Sequence, residues 1–177
     1  MKEKPVIRIA SVSDATGVSH LLRSAMLTYC ADSGISSSLL EAMTESIDSV
    51  ADRIIRQTCL IAVLGDKIVG TICVKKCQNS LVYTFSDKTL EFLQNAGPCS
   101  YISRFAVEEH FRKTGLGIEL ITRATDIAKE SGAECVLLHS AACNDKMVDF
   151  YGKRGFELID SENSRGYMRG LFACKVN

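Results

Sequence analysis

The segment that leaves the fewest folding options is Ser100–Ser140. A β-rich run, Ser100–Val107, is followed by a stretch from Leu116 in which Leu120, Ile121, Ala124, Ile127 and Ala128 share one helical face against Glu119, Arg123, Asp126 and Lys129. Ser131-Gly132 ends that helix, and "ECVLLHS" comes next, apolar almost without alternation. A strand, a crossover helix and a second strand of this buried type must pair in parallel, because the crossover returns the chain to the same end of the sheet.

The rest of the chain pulls the other way. "CLIAVL" and "KIVGTICVKK" flank Gly65-Asp66, a two-residue hairpin signal that predicts an antiparallel pair. "PVIRIASV" reads as a first strand, and Asp14 is placed to cap a helix carrying Val18, Leu21, Leu22, Ala25 and Met26. Leu39, Leu40, Met43, Ile47, Val50, Ile54 and Ile55 predict one further amphipathic helix. Residues 78–98 predict a loop with a short helix around Lys88–Gln94, closed by Gly97-Pro98. Asn144 caps a short helix through Tyr151 that stops near Gly155, and "FELI" with "YMRGLFACKV" predicts a closing hairpin. The sum is a single α/β domain with a mixed sheet, and 177 residues at 46% hydrophobic suffice for one sizeable core.

Lys plus Arg and Asp plus Glu both number 21, without basic runs, so no general nucleic-acid or anionic membrane surface is expected. The N-terminal residues lack an apolar core like that of a signal peptide, and no stretch approaches about 18 apolar residues. A cytoplasmic location is expected. The eight cysteines, Cys30, Cys59, Cys73, Cys77, Cys99, Cys135, Cys143 and Cys174, form no C-x-x-C pair and sit mostly in apolar runs. They read as free, buried thiols with no metal site.

"FAVEEHFRKTGLGIEL" is the stretch most suggestive of a ligand. Arg112, Lys113, Gly115 and Gly117 stand at the mouth of a helix, where unpaired N–H groups and the positive dipole end attract an anion. The alternative is a turn with solvated charges. Neither the Gly-x-x-x-x-Gly-Lys-Ser/Thr phosphate loop nor the Gly-x-Gly-x-x-Gly dinucleotide pattern is present.

The element order, with "RFAVEEHFRKTGLGIELITRA" followed by "LLHSAACNDKMVDFYGKRGFEL", resembles the GNAT superfamily of N-acetyltransferases. The likeness rests on a strand ending in Ala106-Val107, on Arg112-x-x-Gly115-x-Gly117 opening a helix, and on Asn144, Tyr151 and Gly155-Phe156 at family-like spacing. It is strongest over residues 100–159, and residues 78–98 have no family counterpart. The resemblance implies one domain over residues 1–177, with a mixed, mostly antiparallel sheet whose parallel strand pair splays apart, flanked by helices. It implies acetyl-CoA as acyl donor, without a metal, and transfer to a primary amine of a small molecule or peptide by direct attack. The pyrophosphate would lie over Arg112, Lys113, Thr114, Gly115, Leu116 and Gly117, and the pantetheine arm would pair with Phe105, Ala106 and Val107. A homodimer is one assembly that such a chain could form.

Under the same resemblance Tyr151 is the general acid for the departing thiolate, against a reading in which it only packs. Asn144 contacts the cofactor, caps its helix, or does both. The oxyanion donor is a backbone N–H near Val107. Glu108 and Glu109 lie too far along the turn to act as base and are read as solvated. His139 stands where some family members place a glutamate base, and the competing reading is a core histidine. Glu41, Glu45, Asp48 and Asp52 make an acidic stripe that attracts a cationic amine or is merely a wet face, and residues 78–98 are a candidate wall of the acceptor site. A cleft that binds an acyl-CoA as a sensor, without transfer, is the alternative function.

Overall fold

The computed structural model describes residues 3–77 and 86–176. Seven strands form one sheet: β1 (Val6–Ile9), β2 (Thr58–Leu64), β3 (Lys67–Lys76), β4 (Cys99–Val107), β5 (Cys135–Ala141), β6 (Glu157–Glu162) and β7 (Arg169–Lys175). Their spatial order is β1-β2-β3-β4-β5-β7-β6. Every pairing is antiparallel except β4 with β5, as the crossover helix requires.

Six helices cover the two faces. α1 (Ala15–Ser33) and α3 (Ile47–Arg56) bury Val18, Leu22, Ala25 and Val50 against Cys59, Ile61, Cys73 and Ala106. α5 (Leu116–Glu130) and α6 (Asp145–Gly152) cover the opposite face, where Leu120, Ile121 and Ala124 meet Ile72, Ile102, Val136 and Leu138. α4 (Asp87–Asn95) brings Phe92 and Leu93 to Tyr101, Cys135, Leu137 and Leu171. It answers the helix expected around Lys88–Gln94, and the rest of that loop, residues 78–85, lies outside the described residues. Ser86 caps α4, and the Ser86 and Thr89 hydroxyls both donate to Asp160 Oδ2, at 2.5 and 2.6 Å. The described part of 78–98 therefore packs on the sheet and does not wall the cleft.

Two expectations are corrected. The single helix through Leu39–Ile55 is broken: α2 (Glu41–Thr44) ends at Glu45, which is extended, and α3 restarts behind Ser46. Ser46 Oγ accepts from the Ser49 amide at 3.1 Å, a cap that competes with helix continuation, while the Glu45 carboxylate turns inward to Arg53 and Arg104. Nor are all eight cysteines free, because Cys59 and Cys73 lie directly opposite each other on β2 and β3 and form a disulfide. No described helix is long and apolar enough to cross a membrane.

Candidate active site

β4 and β5 pair only over Cys99–Ile102 and Cys135–Leu138. Beyond that point β4 runs on to Val107 and β5 to Ala141 without pairing, so the strands part and open a cleft of about 550 Å³. β4 also changes phase here. Its register against β3 slips between Cys73–Ser103 and Thr71–Ala106, placing Arg104 and Phe105 opposite Ile72, with Arg104 at φ +53°.

The far half of β4 offers backbone to this cleft. Glu108 N donates to Val69 O at 2.9 Å, which makes the next pair inward, Gly70–Val107, the kind that exchanges no hydrogen bonds across the β3–β4 ladder. The Val107 amide accordingly points away from β3, toward the side from which β5 has departed. By the same alternation Ala106 spends its main-chain groups on Thr71 and gives the wall only its methyl. The Val107 carbonyl accepts from Arg112 Nε at 3.1 Å, which ties the following turn to the strand.

In that turn Lys113 (φ +61°) and Gly115 (φ +95°) are both left-handed, an arrangement that gathers successive N–H groups into an anion-binding hollow at the start of α5. Arg112, Lys113, Gly115 and Gly117 line the cleft. The side chains of Thr114 and Leu116 do not: the Thr114 hydroxyl donates to Phe111 O at 2.7 Å, and Leu116 is buried in the core. These two positions have only amides to offer. Gly117 serves a second purpose, since a Cβ there would lie 3.3 Å from Phe105 Cζ, close enough that the ring would have to shift. Backbone concavity, dipole and two cations together suit a polyphosphate. Glu108 lies outside the cleft, paired with Lys67 and His110, and Glu109 is exposed.

Tyr151 lines the cleft at 5% exposure, ringed by Phe105, Phe150, Phe156 and Phe172. Burial pushes its phenol well above the ordinary tyrosine value, so it keeps its proton. Asn144 also lines the cleft, yet its amide is committed: Oδ1 caps α6 through Met147 N at 3.1 Å and Nδ2 donates to Ser33 Oγ on α1 at 2.8 Å. The helix-capping reading of Asn144 is the one this geometry favours.

His139 faces the cleft from β5, with Nδ1 2.8 Å from the Tyr101 hydroxyl. Burial, then Arg169 and Arg165, push its pKa down to about 3. An imidazole so reluctant to take a proton is a weak base, which counts against the expected catalytic role and leaves that of a neutral hydrogen-bonding group. Sequence reasoning missed Tyr29, whose hydroxyl accepts from the Ala141 amide at 2.6 Å and lies 3.2 Å from Ser140 Oγ. Its place on α1, three and four residues beyond Met26 and Ala25, was a usable signal.

At the other end, Leu39–Ala42 meets Arg165 and Tyr167 of the β6–β7 hairpin. Arg165 donates to Glu41 Oε1 at 2.8 Å, and Gly166 is so close to Leu39 that a Cβ would lie 3.3 Å from it. Of the acidic stripe only Glu41 lines the cleft. Glu45 is held by Arg53 and Arg104, Glu41 by Arg165, and Asp48 and Asp52 are exposed outside the cleft. Arginines engage Glu41 and Glu45, and exposed Asp48 and Asp52 match the wet-face reading of the stripe. Among the described residues no cluster of His, Cys, Asp and Glu is gathered for a metal.

The comparisons with known proteins agree with this architecture. The Acetyltransferase (GNAT) family matches residues 35–156. GCN5-related N-acetyltransferase 4, chloroplastic, of Arabidopsis thaliana is 28% identical, over 59% of this chain and 43% of that protein. N-alpha-acetyltransferase 30 of Homo sapiens is 25% identical, over 68% of this chain and 29% of that protein, so the chain spans less than half the length of either relative. Among solved structures, the PaiA N-acetyltransferase of Thermoplasma acidophilum, in complex with coenzyme A, superposes with a TM-score of 0.76 at 19% identity, covering 98% of this chain and all of that one. With the splayed strand pair and the left-handed turn in place, the chain belongs to the acetyltransferase (GNAT) family.

Proposed function

We propose that the protein is an acetyl-CoA-dependent N-acetyltransferase that moves an acetyl group onto a primary amine by direct attack. The observation that carries this is the continuous cleft, which runs from the Arg112–Gly117 turn past Tyr151 to His139 and the β6–β7 hairpin. It joins an anion-binding turn at one end to the side chains of His139 and the hairpin at the other, which suits a donor and an acceptor bound side by side. Acetyl-CoA, the ligand family implied by the turn and present as coenzyme A in the Thermoplasma relative, supplies the activated thioester.

The chain's own residues then divide the work. The turn amides with Arg112 and Lys113 bind the diphosphate. The Val107 amide, directed into the cleft, is the donor for a carbonyl oxygen that gains negative charge. Tyr151, protonated by virtue of its burial, holds a proton for the departing sulfur. His139 and Tyr101 orient the amine, whose surplus proton leaves to water, and water returns a proton to Tyr151. No cysteine is among the described residues that line the cleft, which favours direct attack over an acyl-thioester on the protein.

The test is amine-dependent release of free thiol from acetyl-CoA, with the acetylated amine identified by mass. Initial rates should give intersecting lines for the two substrates. Tight acetyl-CoA binding without thiol release across a broad panel of small-molecule amines and peptide N-termini would instead establish the sensor reading.

A further inference from the structure

Three thiols lie in one row across the sheet, on the face that α4 covers. Cys99 opens β4 and is paired in register with Cys135 at the start of β5. On its other side the Lys76–Ser100 pairing of β3 with β4 continues one residue further, where the Cys77 amide donates to Cys99 O at 2.9 Å. Cys77, Cys99 and Cys135 pack together with Phe92 and Leu93 of α4. The transfer chemistry uses none of the three, and none lines the cleft. The row is not symmetric. The Cys135 thiol hydrogen-bonds to Cys99, which holds the Cys99 thiol below its ordinary value against the opposing effects of burial and of Glu134. The same hydrogen bond, and then burial, push Cys135 up, while burial pushes Cys77 up to about 11. Cys99 is only partly buried and Cys135 is 1% exposed, so a reagent from solvent meets Cys99 first.

We propose that Cys99 and Cys135 are a redox-active pair that forms a reversible disulfide by exchange with a low-molecular-weight disulfide, and that this bond reaches the cleft through Tyr101 and His139. Residues in register on adjacent strands stand about 5 Å apart, inside the Cα separation that a disulfide spans. Cys99, as thiolate, attacks one sulfur of the reagent. The reagent's S–S bond breaks, one thiolate leaves and takes up the proton that Cys99 gave, and a mixed disulfide remains on Cys99. Capping Cys99 removes the thiolate to which Cys135 donates, and with it the first cause of the raised Cys135 value. Cys135 then loses its proton and attacks the Cys99 sulfur, expelling the second reagent thiolate, which takes that proton. The protein pair gives up two electrons, and one reagent disulfide is reduced to two thiols. The bond sits at the closed end of the β4–β5 splay, with Tyr101 two residues on from Cys99 and His139 four on from Cys135. Drawing the sulfurs to about 2 Å therefore moves the strands that carry the 2.8 Å contact between Tyr101 and His139, while the Arg112–Gly117 turn lies beyond the far end of β4.

The test uses the full chain carrying Cys143→Ser, which removes the exposed thiol, and glutathione disulfide as reagent. Peptide mapping by mass should find, beside the Cys59–Cys73 disulfide, a new bond between Cys99 and Cys135 that dithiothreitol reverses. Cys135→Ala should stop the reaction at glutathione on Cys99, Cys99→Ser should abolish both products, and Cys77→Ser should change neither. Cys99 should react about tenfold or more faster than Cys77. Nitrogen NMR of the imidazoles, with the His139 signal identified by its loss in His139→Gln, should show that signal shift on oxidation while those of His20 and His110 stay. All of these readouts are independent of acetyl transfer. A new bond between Cys77 and Cys99, or a Cys99 thiol that persists in the folded protein at millimolar glutathione disulfide, would overturn the pair. A Cys99–Cys135 bond that leaves the His139 signal unmoved would overturn the link to the cleft and leave the redox pair standing.

Discussion

The two ends of the cleft are built from different materials. The donor end is backbone: the Val107 amide, the left-handed Lys113 and Gly115, and the first turn of α5, all within one stretch of chain. The acceptor end is side chain: Glu41 and Arg104 from two separate segments, and Arg165, Tyr167 and Arg169 from a third. The backbone groups of the donor end can be altered only by changing the path of the chain, and the Arg112 and Lys113 side chains add charge to them. A side-chain site can be rewritten one residue at a time while the path stays as it is, so substrate choice can vary over a constant donor end.

The largest effect should come from forcing a side chain into the backbone end. Gly117→Glu is expected to weaken acetyl-CoA binding by about 10²-fold or more, since its Cβ meets Phe105 and its charge opposes a diphosphate. Lys113→Glu, at an exposed position, makes the same charge test without the clash and should weaken binding in the same direction. Calorimetry on folded protein decides, and unchanged affinity in both variants would remove the phosphate reading of the turn. Next, Tyr151→Phe should leave coenzyme A affinity in place and lower turnover by about 10²-fold, as loss of a proton donor requires. Equal turnover would make Tyr151 a packing residue.

Smaller effects test how the acceptor side is held. Tyr29→Phe leaves the Ala141 amide without its 2.6 Å partner, and should cost about 1–3 kcal/mol in stability by thermal or urea unfolding. Smallest at neutral pH is His139→Gln. With the folded pKa near 3 and an unfolded value near 6.5, the unfolded chain binds the extra proton between these limits. The parent should therefore lose stability as pH falls from about 6.5 toward 3, by up to about 1.4 kcal/mol per pH unit, and the variant should lose less. Parallel pH profiles for the two proteins would show that His139 is less shielded than its surroundings imply.

What could be read from the amino-acid order follows the same division. The parallel β4–β5 pair, the Gly65-Asp66 hairpin and the phosphate-binding turn all have local signatures, because each is set by periodicity or by glycine at a fixed offset. The acceptor end has none. Arg104 and Glu45 are 59 residues apart, and Arg165 and Glu41 are 124 apart, so no window of sequence shows that they meet. The acidic stripe presupposes one helix, which the Ser46 cap interrupts, and its Glu41 and Glu45 carboxylates are claimed by distant arginines. Arg104 is the one charged residue in "YISRFAV".

The slip in β4 at Arg104 and Phe105 has a consequence for how the cleft persists. A groove lined with flexible side chains can collapse on itself when empty, but this one is held open by a mismatch of count. One extra residue shifts the far half of β4 out of phase, so its amides cannot mesh with β5 and close the sheet. The opening is in effect an error of arithmetic written into the strand, and it should be correctable. Deleting Arg104 would restore even register along β3, let β4 and β5 zip further, and yield a folded protein whose Val107 amide no longer faces an open cleft and whose affinity for acetyl-CoA is lost.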